Sequence, residues 1–163
     1  MKLQSLFMLL VSLGLLARCV ELGAATPDQW PRFRGADGTG STGGEKLLPS
    51  WTTEGWTWQV DLPGIGHSSP IVWNGKIYLT SADEENKVRH LFCNDLYTGK
   101  LAWTRAFPGE IERHHKQNSS ASSTVTADSR GIYWLWGTSQ NVRLEALTLD
   151  GEMRWSIDLG QYI

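Results

Sequence analysis

From residue 57 to residue 159 the chain is a series of short apolar runs punctuated by Gly, Asn and Asp, the pattern of strands joined by tight turns rather than of helices. Ile132, Trp134 and Trp136 alternate with Tyr133 and Leu135, so both faces of that run are apolar, as in a strand sandwiched between two neighbouring layers. The pattern predicts one group of strands at Ser69 to Trp73, Lys76 to Ser81, Val88 to Asn94 and Lys100 to Phe107. A second group is predicted at Ser123 to Ala127, Gly131 to Gly137, Val142 to Thr148 and Glu152 to Leu159. Asn74-Gly75 joins the first two strands, and both residues tolerate the positive φ of a two-residue hairpin turn. Asp83-Glu-Glu-Asn-Lys87 reads as a solvated hairpin loop.

The two groups are copies of one unit. Cys93-Asn-Asp-Leu-Tyr-Thr-Gly99-Lys-Leu-Ala-Trp103 is answered by Glu145-Ala-Leu-Thr-Leu-Asp-Gly151-Glu-Met-Arg-Trp155, with tryptophan four residues after glycine in each. Trp58 opens a third tail of the same kind, and the three tryptophans are spaced by 45 and 52 residues. A tryptophan-marked repeat of about 40 to 50 residues built from short strands is the signature of a four-stranded β-propeller blade. The expected fold is therefore all-β: an incomplete β-propeller of about two antiparallel blades, at 67–107 and 122–159, preceded by an orphan amino-terminal strand at 57–62. Trp58, Gly99, Trp103, Gly151 and Trp155 are the structural marks of the repeat. An unpaired edge carrying Trp58 and Val60 is an aggregation hazard.

Asp95-x-x-Thr-Gly-Lys-x-x-Trp103, preceded by Ser68-Ser-Pro-Ile-Val72 and Gly75-Lys-Ile-Tyr78, resembles the repeat of pyrroloquinoline-quinone-like (BamB-like) β-propellers. That group includes quinoprotein alcohol dehydrogenases and a propeller lipoprotein of the outer-membrane barrel assembly machinery. Trp30-Pro-Arg-Phe-Arg-Gly35 is similar to the start of secreted bacterial members. The resemblance covers about residues 28 to 163 and bears on architecture more than on activity. Six to eight blades of about 45 residues need roughly 270 to 360 residues, so a chain of 163 reads as the amino-terminal fragment of a longer propeller.

A net charge of −2 offers no basic field for nucleic acid and no polybasic patch for lipid. Residues 1–25 read as a signal peptide, with Lys2, an apolar run of 11 residues from Leu6 to Leu16, and small residues at Gly23-Ala-Ala25. The run is too short to span a bilayer, so the mature chain is expected to be exported, periplasmic or extracellular, without a transmembrane anchor. Removal of the leader takes Cys19 with it and leaves Cys93 as a small buried hydrophobe on an apolar strand position.

Residues 26–56 form an irregular lead-in. Its Gly38-Thr-Gly-Ser-Thr-Gly43 matches a dinucleotide fingerprint, but no apolar strand precedes it and no long helix can follow. Trp30, Phe33 and Arg34 are expected to clip against the outer edge of a blade. The connection from Pro108 to Ala121 is the most polar and least repeat-like stretch and leads from an outer strand back to an inner one. Such loops cluster near a propeller's channel, where ligands bind. With the equivalent Gly64-to-Ser69 loop it supplies the candidate ligand or partner residues His67, His114, Lys116 and Asn118. No catalytic residue and no metal site is expected: adjacent His114 and His115 point apart, and no Gly-x-Ser-x-Gly elbow is present. Paired serines at 68–69 and 122–123 read as small residues at a crowded axis.

The expected function is that of a non-catalytic binding or scaffold module for an envelope protein or carbohydrate, with no cofactor and no nucleic acid. The resemblance also implies an alternative, part of a quinoprotein dehydrogenase holding pyrroloquinoline quinone above calcium. Those enzymes typically carry adjacent cysteines at the quinone, and this chain has no such pair.

Overall fold

The computed structural model describes residues 29–42, 50, 52–111, 115, 118–138 and 140–161. The leader at 1–25, Gly43, His114 and Lys116 lie outside these residues. Among the described residues the chain forms two four-stranded antiparallel sheets in sequential order, consistent with two propeller-like blades. The first comprises β1 (Ile71–Trp73), β2 (Lys76–Asp83), β3 (Val88–Asp95) and β4 (Leu101–Pro108). The second comprises β5 (Thr126–Asp128), β6 (Gly131–Gly137), β7 (Val142–Leu147) and β8 (Met153–Gly160).

The turns are those the residue types dictate. Asn74 and Gly75 both take positive φ, 49° and 69°, giving the β1–β2 hairpin its expected turn. Asp95 Oδ1 accepts from the Thr98 amide at 3.0 Å and the Thr98 hydroxyl at 2.9 Å, folding the β3–β4 connection over itself. Lys76 Nζ holds the same carboxylate's Oδ2 at 3.1 Å. That ion pair and the Thr98 hydrogen bond lower the Asp95 pKa to about 2.

The sheets pack face to face around one apolar core. Ile71, Tyr78, Leu91, Cys93 and Phe107 from the first sheet meet Val125, Ala127, Ile132, Trp134, Trp136 and Leu147 from the second. Phe107 stands edge-on to Trp134, ring centroids 5.1 Å apart at 85°, the arrangement that sets a positive ring edge on a negative face. Cys93 is buried beside Tyr78, and desolvation pushes its thiol up to about 11, so it packs as a hydrophobe.

Outside the core, one contact recurs at both repeat boundaries. The Trp58 indole lies flat on Gly99, where an added Cβ would stand 2.6 Å from the ring, and its Nε1–H donates to the Leu96 carbonyl at 3.0 Å. One repeat later Trp103 lies on Gly151, with the corresponding distance 2.8 Å, and donates to Leu149 O at 3.1 Å. Each turn glycine therefore meets two demands. Its φ is positive, 70° and 83°, and its missing Cβ leaves the space that the indole fills. Arg105 reinforces the second dock, donating to Gly151 O at 2.6 Å and pairing with Glu152 at 2.7 Å.

Two expectations change. β1 and β5 are three residues long rather than five, because their lead-in residues turn towards each other instead of pairing with β2 and β6. Residues 57–62 join no ladder among the described residues, in keeping with the orphan segment expected there; the Trp58 indole docks on the Gly99 turn, and just beyond it the Ser81 hydroxyl donates to Pro63 O. The Trp30 clip lies on the inner edge, not the outer one: Trp30 and Val72 exchange both backbone hydrogen bonds at 2.8 and 2.9 Å, satisfying the free side of β1. The cation-π contact is present within this clip, Arg34 Cζ standing 5.3 Å from the Phe33 ring centre.

Trp103→Ala should cost about 2–4 kcal/mol and Gly151→Ala about 1–3 kcal/mol in urea titration. Combined, they should cost clearly less than their sum, because both break one contact. Acid titration offers a separate check. Since Asp95 folds with a pKa below its ordinary 3.8, its contribution is complete above about pH 4 and fades as pH falls towards about 2. Asp95→Asn should therefore flatten the pH dependence of unfolding in that window and leave it unchanged near neutrality.

Candidate functional site

The lead-ins of β1 and β5 occupy equivalent places in the two repeats and are stitched together at the inner edge. The His67 and Ser68 amides both donate to Ala121 O, at 3.2 and 3.0 Å. The Ser69 amide donates to Thr124 Oγ1 at 2.9 Å, and Thr80 Oγ1 to Ser123 O at 3.4 Å. Ser68 Oγ accepts from the Thr80 amide at 3.1 Å, so this serine serves backbone satisfaction as well as fitting a crowded edge. Beside the seam opens a cleft of about 370 Å³ lined by Phe33, His67, Ser122 and Thr124. Phe33 and His67 are both exposed there, an apolar ring and an imidazole at one opening.

Of the four candidates, His67 and Asn118 fall among the described residues, and Ser122 connects them. Ser122 lines the cleft with His67, donates to Ser119 O at 2.8 Å, and hydrogen-bonds Asn118 Oδ1. The same Asn118 oxygen accepts from the Ser119 amide at 2.9 Å. Asn118 thus braces the turn that presents Ser122, one step back from the cleft. Ser122 spends its hydroxyl proton on carbonyl oxygens rather than on a base, so it has no activated-nucleophile geometry. His114 and Lys116 lie outside the described residues.

Two contributors escaped sequence reading. Phe33 comes from the lead-in and reaches the cleft because Trp30 anchors that segment on β1 and Pro31 O accepts from the Ala127 amide at 2.9 Å. Arg89 is the other. It is 2% exposed, yet it faces the apolar core row of Leu91 and Cys93 on β3. Its Nε donates to Ser120 O at 3.1 Å, and its Nη2 to Glu110 O at 3.1 Å and Gly137 O at 3.2 Å. The guanidinium also stacks 5.0 Å from the Trp136 ring centre. A buried cation needs such acceptors, and these tie both ends of the polar connection to the second sheet. The signal was available: a lone Arg at the strand period of apolar neighbours.

Among the described residues, no three His, Cys, Asp or Glu side chains come together as a metal site. Carboxylates are used locally, Asp83 on Asn86, Asp95 on Thr98 and Lys76, and Asp128 on the Arg130 and Gly131 amides.

No protein-family model matches the chain, and no curated protein matches it.

Arg89→Met keeps the stem against Trp136 but removes the three carbonyl contacts. Hydrogen exchange should then rise selectively in 109–121, with a stability loss of about 2–4 kcal/mol.

Proposed function

We propose that the chain belongs to the pyrroloquinoline-quinone-like (BamB-like) propeller group and works, after export, as a non-catalytic binding module of the cell envelope, its ligand a carbohydrate. The observation that carries the carbohydrate reading is the open cleft in which the exposed Phe33 ring stands with His67, Ser122 and Thr124. An aromatic ring takes the apolar face of a sugar, while imidazole and hydroxyl groups meet its equatorial hydroxyls. The hydroxyls are held by Asn118 and by backbone groups, which favours orientation of a ligand over chemistry on it.

Isothermal titration with soluble glycan strands of N-acetylglucosamine-containing oligosaccharide should give saturable binding. Phe33→Ala and His67→Ala should each weaken it by about tenfold or more without changing the unfolding midpoint. Absence of binding to any such oligosaccharide, or binding indifferent to both substitutions, would overturn the carbohydrate assignment.

A further inference from the structure

The aromatic ring that lines the seam cleft carries a cation. Arg34 Cζ stands 5.3 Å from the centre of the Phe33 ring, and Arg34 is exposed. Among the described residues no carboxylate pairs with it. The other arginine of the lead-in is differently employed. Arg32 donates from Nε to Gly35 O at 3.2 Å and from Nη2 to Ala36 O at 2.9 Å, so it braces the loop. Its charge also acts on Asp37, whose carboxyl is held below its ordinary range by the Thr39 amide and hydroxyl and, to a lesser degree, by Arg32. One of the two arginines is thus used within the loop, and the other stands beside the cleft.

Arg34 is kept there against its own backbone preference. Its φ of 62° lies in the left-handed region that glycine adopts freely and a residue with a Cβ adopts at a cost. The turn itself is made by main-chain groups, the Gly40 amide donating to Arg34 O and the Gly35 amide to Arg32 O, both at 2.9 Å, and it asks for no guanidinium. A strained residue whose charged end faces solvent beside a cleft fits a binding position better than a folding one. The lead-in is fixed by Trp30 on Val72 and by Pro31 O on the Ala127 amide, so the ring and the cation on it are carried by the inner edges of both sheets. Every residue of this site comes from the lead-in or from the seam between the two repeats.

We infer that the saccharide bound at this cleft carries a carboxylate and that Arg34 receives it. The inference rests on the carbohydrate reading above and adds the sign of the ligand's charge. A sugar stacked on the open side of Phe33 brings its substituents to the edge of the ring, where a guanidinium on a flexible stem meets a carboxylate with a planar fork of donors. A single guanidinium matches one singly charged carboxylate better than a phosphate dianion. The His67 imidazole and the Ser122 and Thr124 hydroxyls remain for the neutral hydroxyls of the sugar. Arg34 is then a specificity residue: it separates acidic from neutral saccharides, whereas Phe33 and His67 serve both.

Isothermal titration of the full chain with two acidic oligosaccharides tests this, each compared with its own neutral methylamide. In one, N-acetylglucosamine alternates with its lactyl ether, so the carboxylate sits on an arm; the other is an oligouronate, with the carboxylate on the sugar ring itself. At least one acid should bind about tenfold or more tighter than its methylamide, with an advantage that shrinks as salt is raised, and which acid does so tells an arm from a ring carboxylate. Arg34→Gln should remove the advantage and leave methylamide binding unchanged, and Arg34→Lys should keep part of it. Arg34→Gly, which relaxes the backbone, should also remove the advantage with no fall in the urea midpoint. A fall in that midpoint with the acid preference retained would make Arg34 a structural residue and overturn the inference. Equal binding of acid and methylamide, or a preference that survives Arg34→Gln, would overturn it too while leaving the carbohydrate reading in place. No binding of any of the four oligosaccharides would remove both.

Discussion

An indole resting on a glycine holds the two sheets in order. Edge-on packing of Phe107 against Trp134 contributes apolar burial, but such burial is non-directional and tolerates sliding. The Trp103 dock does not slide, because its ring fits only over a residue without a Cβ and its N–H reaches one carbonyl, Leu149 O. It fixes the outer strand of one sheet against the β7–β8 turn of the next and so fixes the relative placement of both inner edges. The seam between 67–69 and 121–124, and the cleft beside it, inherit their geometry from that constraint.

Much of this was written in the repeat. Strand number, strand order and the β1–β2 turn follow from period-2 alternation and from residues that accept positive φ, both local properties. The recurrence of Gly and Trp at a separation of four marked the docking residues, but the contact itself joins Trp103 to Gly151, 48 residues further on, and spacing within one repeat cannot show which copy answers which. The short β1 and β5 and the inner-edge position of Trp30 both depend on which neighbouring backbone is there to exchange hydrogen bonds. That is a tertiary fact, invisible to propensity.

The cleft was legible only in part. His67 follows from its place before an inner strand, and Asn118 from the unusual polarity of its loop. Phe33 arrives from a segment without periodicity, placed by two backbone contacts, and Arg89, though it falls at the strand period of Leu91 and Cys93, does not show in sequence which acceptors it meets. Its role appears once the carbonyls of Glu110, Ser120 and Gly137 are seen converging on one guanidinium. A cation inside a hydrophobic layer, hydrogen-bonded to these main-chain oxygens, ties Glu110 and Ser120 at the two ends of the polar connection to the second sheet.

The forward reach of each indole has a temporal consequence. Trp103 is synthesised before the glycine that covers it, and at ribosomal rates of about 5–20 residues per second the delay to residue 151 is roughly 2 to 10 seconds. During that interval the emerging chain displays a bare aromatic row on its newest sheet, and each added repeat covers one such row while uncovering another. The bare apolar face thus moves along with the growing end, from one outermost strand to the next.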